Sequence, residues 1–349
     1  LKGQGRGAAP YYKCALVARG LRTALYMNDK QNALETIHFG KPDRIMSRVP
    51  ARVVAYHGAN HQGYGDAGII DGHERPVGAR WTDIWGVGWH KEHWGAMGFP
   101  KINPLAEIGA LRSYQWPDPD DERICAPIYE SAAAFDERDE MFFVGSHRDA
   151  LWEKSYMLVG MENIMVYFYT DPQYAKEILR RIMDFQLGIA KHYIKAGVDM
   201  VSLSDDMGTQ RALLLGQAIF DEFLEPEYKR LFELYKSSGI LIDFHSCGHI
   251  EPLLPSFIAL GVDILNPVQA TANDLAAVVA VTNRKMALKG GISTGLLMDG
   301  TRSQIREAVK NAISLLGKDG GYFCCPDQGM PFPPANYAAF EEAVEEFGA

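Results

Sequence analysis

The chain has 349 residues, 47% of them hydrophobic, with 35 Lys and Arg against 44 Asp and Glu for a net charge of −9. That length is ample for one barrel core plus an extension, and the lack of any basic block argues against a nucleic-acid partner. No apolar run approaches the roughly 18–20 residues of a membrane span and no signal-peptide pattern opens the chain, so a cytoplasmic location is expected. The five cysteines (Cys14, Cys125, Cys247, Cys324 and Cys325) are then reduced thiols or metal ligands rather than a disulfide framework.

Residues 1–26 are basic and rich in Gly and Ala, unlike the rest of the chain, and are expected to be a leader or appended extension. Residues 27–349 are expected to form a single domain. A first helix is expected over 28–39, ended by Gly40 and Pro42, and a short strand over 52–57. From about 57 to 100 the pattern turns irregular, an aromatic-rich insertion in which Trp81, Trp85, Trp89 and Trp94 are interleaved with glycines and with His57, His61, His73, His90 and His93. Long aromatic loops cover sites, and they equally pack small subdomains or the face of a homodimer. His57 and Trp85 are the substrate contacts expected from this region. Next come a turn at 116–121, a strand at 141–146 and a helix at 151–161. Asp171 and Pro172 then open a long helix to Ala196, with Ile178, Ile182, Phe185, Ile189 and Tyr193 at helical spacing and Gly197 as the stop.

Beyond that helix, strand and helix alternate five times. Strands are expected over 198–204, 240–244, 262–266, 286–289 and 321–325, each followed by a helix, which implies a parallel sheet with right-handed crossovers. Further strands at 52–57, 83–87 and 141–146 bring the total to eight. The expected fold is therefore α/β, a (β/α)8 TIM-like barrel with an N-terminal helical and irregular extension; a doubly wound open sheet is the alternative. The strand ends favour the barrel. Asp205-Asp206, His245-x-Cys247, Asn266-x-x-Gln269, Gly290-Gly291-x-Ser293 and Cys325-x-Asp327 close successive strands, and a barrel gathers such ends on one rim. No G-x-G-x-x-G follows the first strand, which weakens a dinucleotide-binding reading.

The chemistry centres on 240–248, ILIDFHSCG. An apolar run leads into His245 and Cys247, two residues apart and hence on one side of an extended chain. Imidazole with thiolate suits zinc, although a buried thiol beside a hydrogen-bonded histidine is the plain alternative. The last strand offers a third ligand, Cys325, with Cys324 and Asp327 as competitors. Alternation sends Cys324 and Cys325 to opposite faces, and Cys325 lies nearer the rim. Three protein ligands with an open position would make a catalytic zinc site. Asp205 and Asp206 are candidate catalytic carboxylates, one facing the cavity while the other caps a helix. Gln210, Asn266 and Gln269 are candidate substrate contacts, or groups that satisfy loop backbone.

The runs HSCGHIEPLLPSFIALGVDILNPVQ, KGGIS and GTRSQIREAVKNAISLLGKDGGYFCCPDQGMP resemble the uroporphyrinogen decarboxylase superfamily, and within it the corrinoid-dependent methyltransferase branch. Upstream, KPDRI, TDIWGVGW, WPDPDD, LVGMENIMVYFYTDP and VDMVSLSDDMGTQ are similar to the same branch, so the likeness runs from about 28 to 347. The resemblance implies a TIM-like barrel in which the H-x-C pair binds zinc. It further implies that a methyl group moves between a substrate and the cobalamin of a small partner corrinoid protein. His245 and Cys247 match the pair. The family's third ligand is usually a Cys just after the Pro of the last strand's rim; here that place reads CCPDQGM, with Asp327 and Gln328 after Pro326. Decarboxylases of the superfamily grip a polyanionic tetrapyrrole with an arginine-rich segment near their start, whereas 50–68 holds only Arg52. The aromatic insertion suits a flat neutral ring, so the expected activity is zinc-dependent O-demethylation of a methoxylated aromatic, with methyl transfer to the partner's corrinoid. Methylcobalamin:thiol methyl transfer, porphyrinogen decarboxylation and a non-catalytic corrinoid-binding barrel are the alternatives.

Overall fold

The computed structural model of the protein describes residues 27–66 and 74–349; the expected leader with Cys14, and His73, lie outside the described residues. The first helix, α1 (Asp29–Ile37), starts on a capping box in which the Asn28 side chain accepts from the Gln31 amide and Gln31 returns the bond. β1 (Ala51–Ala55) comes next, then β2 (Arg80–Thr82), β3 (Gly88–His90) and β4 (Phe99–Ile102), which form a separate antiparallel sheet. The strand expected at 83–87 does not form. Asp83 takes the amides of Trp85 and Val87 on one carboxylate oxygen and the Trp89 indole N–H on the other, so these residues make the turn between β2 and β3. A short carboxylate that captures amides two and four residues on removes them from any strand ladder.

The chain continues through α2 (Glu122–Ala133), β5 (Phe142–His147), α3 (Trp152–Val159), α4 (Met161–Thr170) and α5 (Pro172–Ala196). Gly197 ends α5 in the left-handed conformation, at φ 75°. Then come β6 (Met200–Ser204), α6 (Gln217–Ile219), α7 (Glu225–Ser237), β7 (Leu241–His245), α8 (Leu254–Leu260), β8 (Ile264–Val268) and α9 (Leu275–Thr282). The last units are β9 (Ala287–Ile292), α10 (Thr294–Asp299), α11 (Arg302–Leu316), β10 (Tyr322–Pro326) and α12 (Pro334–Phe347).

Seven strands pair in parallel in the order β1-β5-β6-β7-β8-β9-β10. The sheet curls until Met46, just ahead of β1, bridges Phe323 of β10 and accepts the Cys324 amide at 2.9 Å. The fold is thus an α/β TIM-like barrel with seven strands and a one-residue closure. Period-two alternation decides what faces the interior. Phe142, Val144, Met200, Ile264, Ala287 and Phe323 form an apolar floor with Leu241, which α1 plugs with Ala33 and Ile37. Above the floor the interior turns polar, with Asp243 of β7 and Lys289 of β9 paired at 3.0 Å. The large cluster outside the strands packs the helices onto the barrel. No helix among the described residues is long and apolar enough to cross a membrane.

Candidate metal centre

At the carboxyl end of β7 the alternation continues past the strand. Ser246 is buried, its amide donating to the Asn266 carbonyl and its Oγ accepting the Met207 amide, which leaves His245 and Cys247 on the other side, facing the mouth. The loops after β6 and β7 are clasped together by Gly208 N–H to the Cys247 carbonyl at 3.1 Å and His249 N–H to the Thr209 carbonyl at 2.7 Å. A Cβ on Gly208 would sit 2.6 Å from the His249 nitrogen and 2.7 Å from the Cys247 oxygen, so only glycine permits this approach. Gln269 adds a hydrogen bond from the Gly248 amide at 2.8 Å.

The clasp brings Asp206 to the pair. Its Oδ1 accepts the Cys247 amide at 2.9 Å and lies 3.6 Å from His245 Nε2, and His245 Nε2 is 3.2 Å from Cys247 Sγ. One ligand atom from each of Asp206, His245 and Cys247 falls within 4.8 Å of the others. Asn266 holds the far side of the ring, its side-chain amide 3.2 Å from Nδ1. Gln328, where the resemblance leads one to look for a cysteine, donates from Nε2 to Cys247 Sγ at 2.6 Å.

Burial sets the charge state of this corner. Burial pushes the Cys247 thiol well up, with the Asp206 carboxylate adding to it and Gln328 opposing. Burial also holds the His245 imidazole below its usual range, with Asp206 and Asp243 pulling the other way. A carboxylate, a neutral imidazole and a thiol converging on one point fit a divalent N/S/O-bound metal such as zinc, whose charge would stabilise the thiolate.

The other candidate residues occupy varied places. Asp205 is fully buried and accepts the amides of Leu151, Trp152 and Glu153 at 2.6, 3.1 and 2.7 Å, plus the Tyr228 hydroxyl. It therefore caps α3, a helix of the preceding unit; its side chain makes no hydrogen bond to His245 or Cys247, while its amide donates to the His245 carbonyl at 3.0 Å. Cys325 points inward but one inward residue lower than His245. It lies beside Lys289 and Asp243, and burial pushes its thiol up to about 12 while Lys289 opposes; it is not in the three-residue group. Cys324 sits on the opposite face, in the apolar layer with Tyr322. His57 is buried with Nε2 on the Gly63 carbonyl at 2.9 Å. Trp85, 1% exposed, packs edge-on against Phe185, and Gln210 lies exposed in the loop beyond Asp206.

Several polar groups near this rim were not singled out in the sequence. His61 is buried, stacked on Trp89 at 4.0 Å, with Nε2 on Asp149 Oδ2 at 2.5 Å; both residues adopt positive φ. Glu153, at the start of α3, is pushed well above the usual carboxylate range by burial and by Asp149, Asp205 and Asp206. The signal was available, because His147-Arg148-Asp149 is a polar strand end like the others.

Residues 93–347 match the family model for Uroporphyrinogen decarboxylase (URO-D). A Methylated-thiol–coenzyme M methyltransferase of Methanosarcina mazei is 26% identical over 199 residues, 54% of this chain and 49% of that protein. A Uroporphyrinogen decarboxylase of Wolinella succinogenes is 25% identical over 167 residues, 46% of this chain and 45% of that protein. The chain thus spans about half the length of these relatives. Among solved structures, a methyltransferase from Methanosarcina mazei shares the fold with a TM-score of 0.68 at 16% identity, over 92% of this chain and 99% of that one. A family match over residues 93–347, most of the chain, has one conclusion: the chain belongs to the uroporphyrinogen decarboxylase (URO-D) family.

Proposed function

We propose that this protein is a methyltransferase that removes a methyl group from a methoxylated aromatic and delivers it to the cobalamin of a partner corrinoid protein. The observation that carries the reading is the convergence of Asp206, His245 and Cys247 within 4.8 Å at the carboxyl rim. These three residues would hold zinc, with Asp206 taking the third place expected of Cys325. Bound there, zinc would act as a Lewis acid toward a leaving oxygen. The protein's own residues prepare that chemistry. Asn266 orients the His245 ring, Gln328 hydrogen-bonds the Cys247 sulfur, and the clasp at Gly208 fixes the distance between the two loops. In the transfer the methyl–oxygen bond breaks with its electron pair left on oxygen, and the corrinoid supplies the pair that bonds the methyl carbon.

The similarity to the Methylated-thiol–coenzyme M methyltransferase supports a second reading, in which the methyl carrier or acceptor is a thiol. Metal analysis and turnover separate the possibilities. About one zinc per chain is expected in the purified protein, lost in Cys247→Ala and in Asp206→Ala and kept in Cys325→Ala, with demethylation of methoxybenzenes by a Co(I) corrinoid lost alongside the metal. Transfer that persists in metal-free Cys247→Ala would overturn the zinc assignment, and activity only with thiols would favour the second reading.

A further inference from the structure

Arg148 stands out at the rim as a cation without a carboxylate of its own. It comes directly after β5 and is half-buried. Its guanidinium donates to Asn60 Oδ1 at 3.3 Å and lies against Met97 Sδ, and it forms no ion pair among the described residues. A guanidinium carries five N–H donors in a planar fork, so two neutral contacts leave most of them unused. His147 of β5 pairs with Leu203 of β6, and Ser204 with His245 of β7, so Arg148 leaves β5 at about the level of His245, and its charge acts on both His245 and Asp149.

The carboxylates nearby are already spoken for. Asp149 has His61 at 2.5 Å and then the buried Lys154, with Arg148 the weakest of its positive neighbours. Asp205 is covered by three amides and a hydroxyl, and Asp206 belongs to the three-residue group. Lys154 adds a second cation: it is fully buried, without a hydrogen-bond partner, and 5.4 Å from the Trp85 ring. Of the four tryptophans in the insertion, Trp94 is exposed and the other three are covered. Trp85 and Trp89 are buried against Phe185 and His61, and Trp81 is covered by Arg75 at 4.4 Å. Among the described residues, the Arg148 guanidinium is a cation at the rim with donors to spare for a substrate.

We propose that Arg148 anchors an oxyanion carried by the small-molecule substrate, so that the methyl donor is a methoxylated aromatic acid rather than a neutral ether. A carboxylate matches the fork with two parallel hydrogen bonds, and the loop contacts from Asn60 and Met97 hold the fork in place. The identification of the donor as aromatic rests on the function proposed above; the oxyanion subsite does not. A thiol bearing an oxyanion presents the same group to Arg148.

The test is equilibrium binding to the full chain loaded with zinc, with no corrinoid present. Four probes are used: 4-hydroxybenzoate against 4-hydroxybenzamide, and 3-mercaptopropanoate against propanethiol. The wild type is expected to prefer 4-hydroxybenzoate to its amide by about tenfold or more. Arg148→Gln is expected to erase that preference while leaving the amide's affinity unchanged, and Arg148→Lys to restore part of it. Equal binding of acid and amide by the wild type, or a preference that survives in Arg148→Gln, overturns the subsite. An Arg148-dependent preference confined to the thiol pair overturns the aromatic acid as its bearer. If the preference is found but no methyl is transferred in a separate assay, the subsite stands and the proposed function fails.

Discussion

Asp205 and Asp206 are covalent neighbours with different work. On the rim of a strand their side chains diverge, and Asp205 turns into the protein to meet three amides of α3 while Asp206 meets Cys247. Burial pushes the Asp205 carboxyl up to about 7 against the pull of Tyr228 and those amides. Asp205→Asn would keep the shape but set an N–H group against donors, so a loss of about 1–3 kcal/mol in denaturant unfolding is expected with little change in metal affinity. Asp206→Asn retains an acceptor for the Cys247 amide and should change stability by less than about 1 kcal/mol, while metal content falls sharply. Equal stability losses in the two variants would mean that the division between cap and ligand is wrong. The sequence supported a split between the two carboxylates; it held no sign of which helix the capping one would reach.

At the level of elements, the site depends on two loops that touch. The segment after β6 and the segment after β7 approach closely enough for main-chain hydrogen bonds only because Gly208 and Gly248 carry no Cβ, Gly248 also having φ 84°. Gly208→Ala should push the loops apart, costing about 1–3 kcal/mol of stability, and should weaken metal binding although it meets only the main chain of Cys247 and none of the three proposed ligand side chains. Unfolding and metal titration of the same variant check this; unaltered metal affinity would show that the clasp is not what spaces the ligands. The strand at 83–87 failed for a local reason, because Asp83 draws the amides of Trp85 and Val87 into a turn. Apolar residues alternate there as they do in a strand, and a single carboxylate outweighs them. By contrast, α5 has the bounds that Pro172 and Gly197 announce, since helix starts and stops act within one turn of chain.

Across the whole molecule, the helices are tied to the barrel by buried polar groups as well as by apolar packing. His147 is fully buried at the end of β5, with Nδ1 on Gln186 of α5 at 2.7 Å and Nε2 on the Tyr235 hydroxyl of α7. Burial lowers its imidazole to about 4, with Gln186 opposing. Between about 6.5 and 4 the unfolded chain binds a proton at this residue and the folded chain does not, so stability falls as pH is lowered through that window. The loss is about 3 kcal/mol. Asp327, pushed up to about 7 by burial, works in the opposite direction over much of the same range, because the folded state takes up its proton first. The readout is therefore the difference between wild type and His147→Asn in urea unfolding at pH 7 and pH 4.5: the wild type's advantage should shrink by most of that amount. An advantage that is flat with pH would show that the imidazole takes up its proton as readily in the folded chain as in the unfolded one.

What the sequence determined by itself is whatever rests on short-range periodicity and local chemistry. Repeating strand and helix segments imply a parallel barrel, and the two-residue spacing of His245 and Cys247 puts both on one side of an extended segment. What the tertiary structure decided is which groups from distant strands share a level. Cys325 faces inward, yet the stagger of a curled sheet sets it with Asp243 and Lys289 below the mouth, while Asp206 from the neighbouring β6 reaches His245 and Cys247. Arg148 likewise depends for its unpaired charge on His61 having taken Asp149 first. Those levels and pairings come from register and closure, which are summed over seven strands and written in no single stretch of the chain.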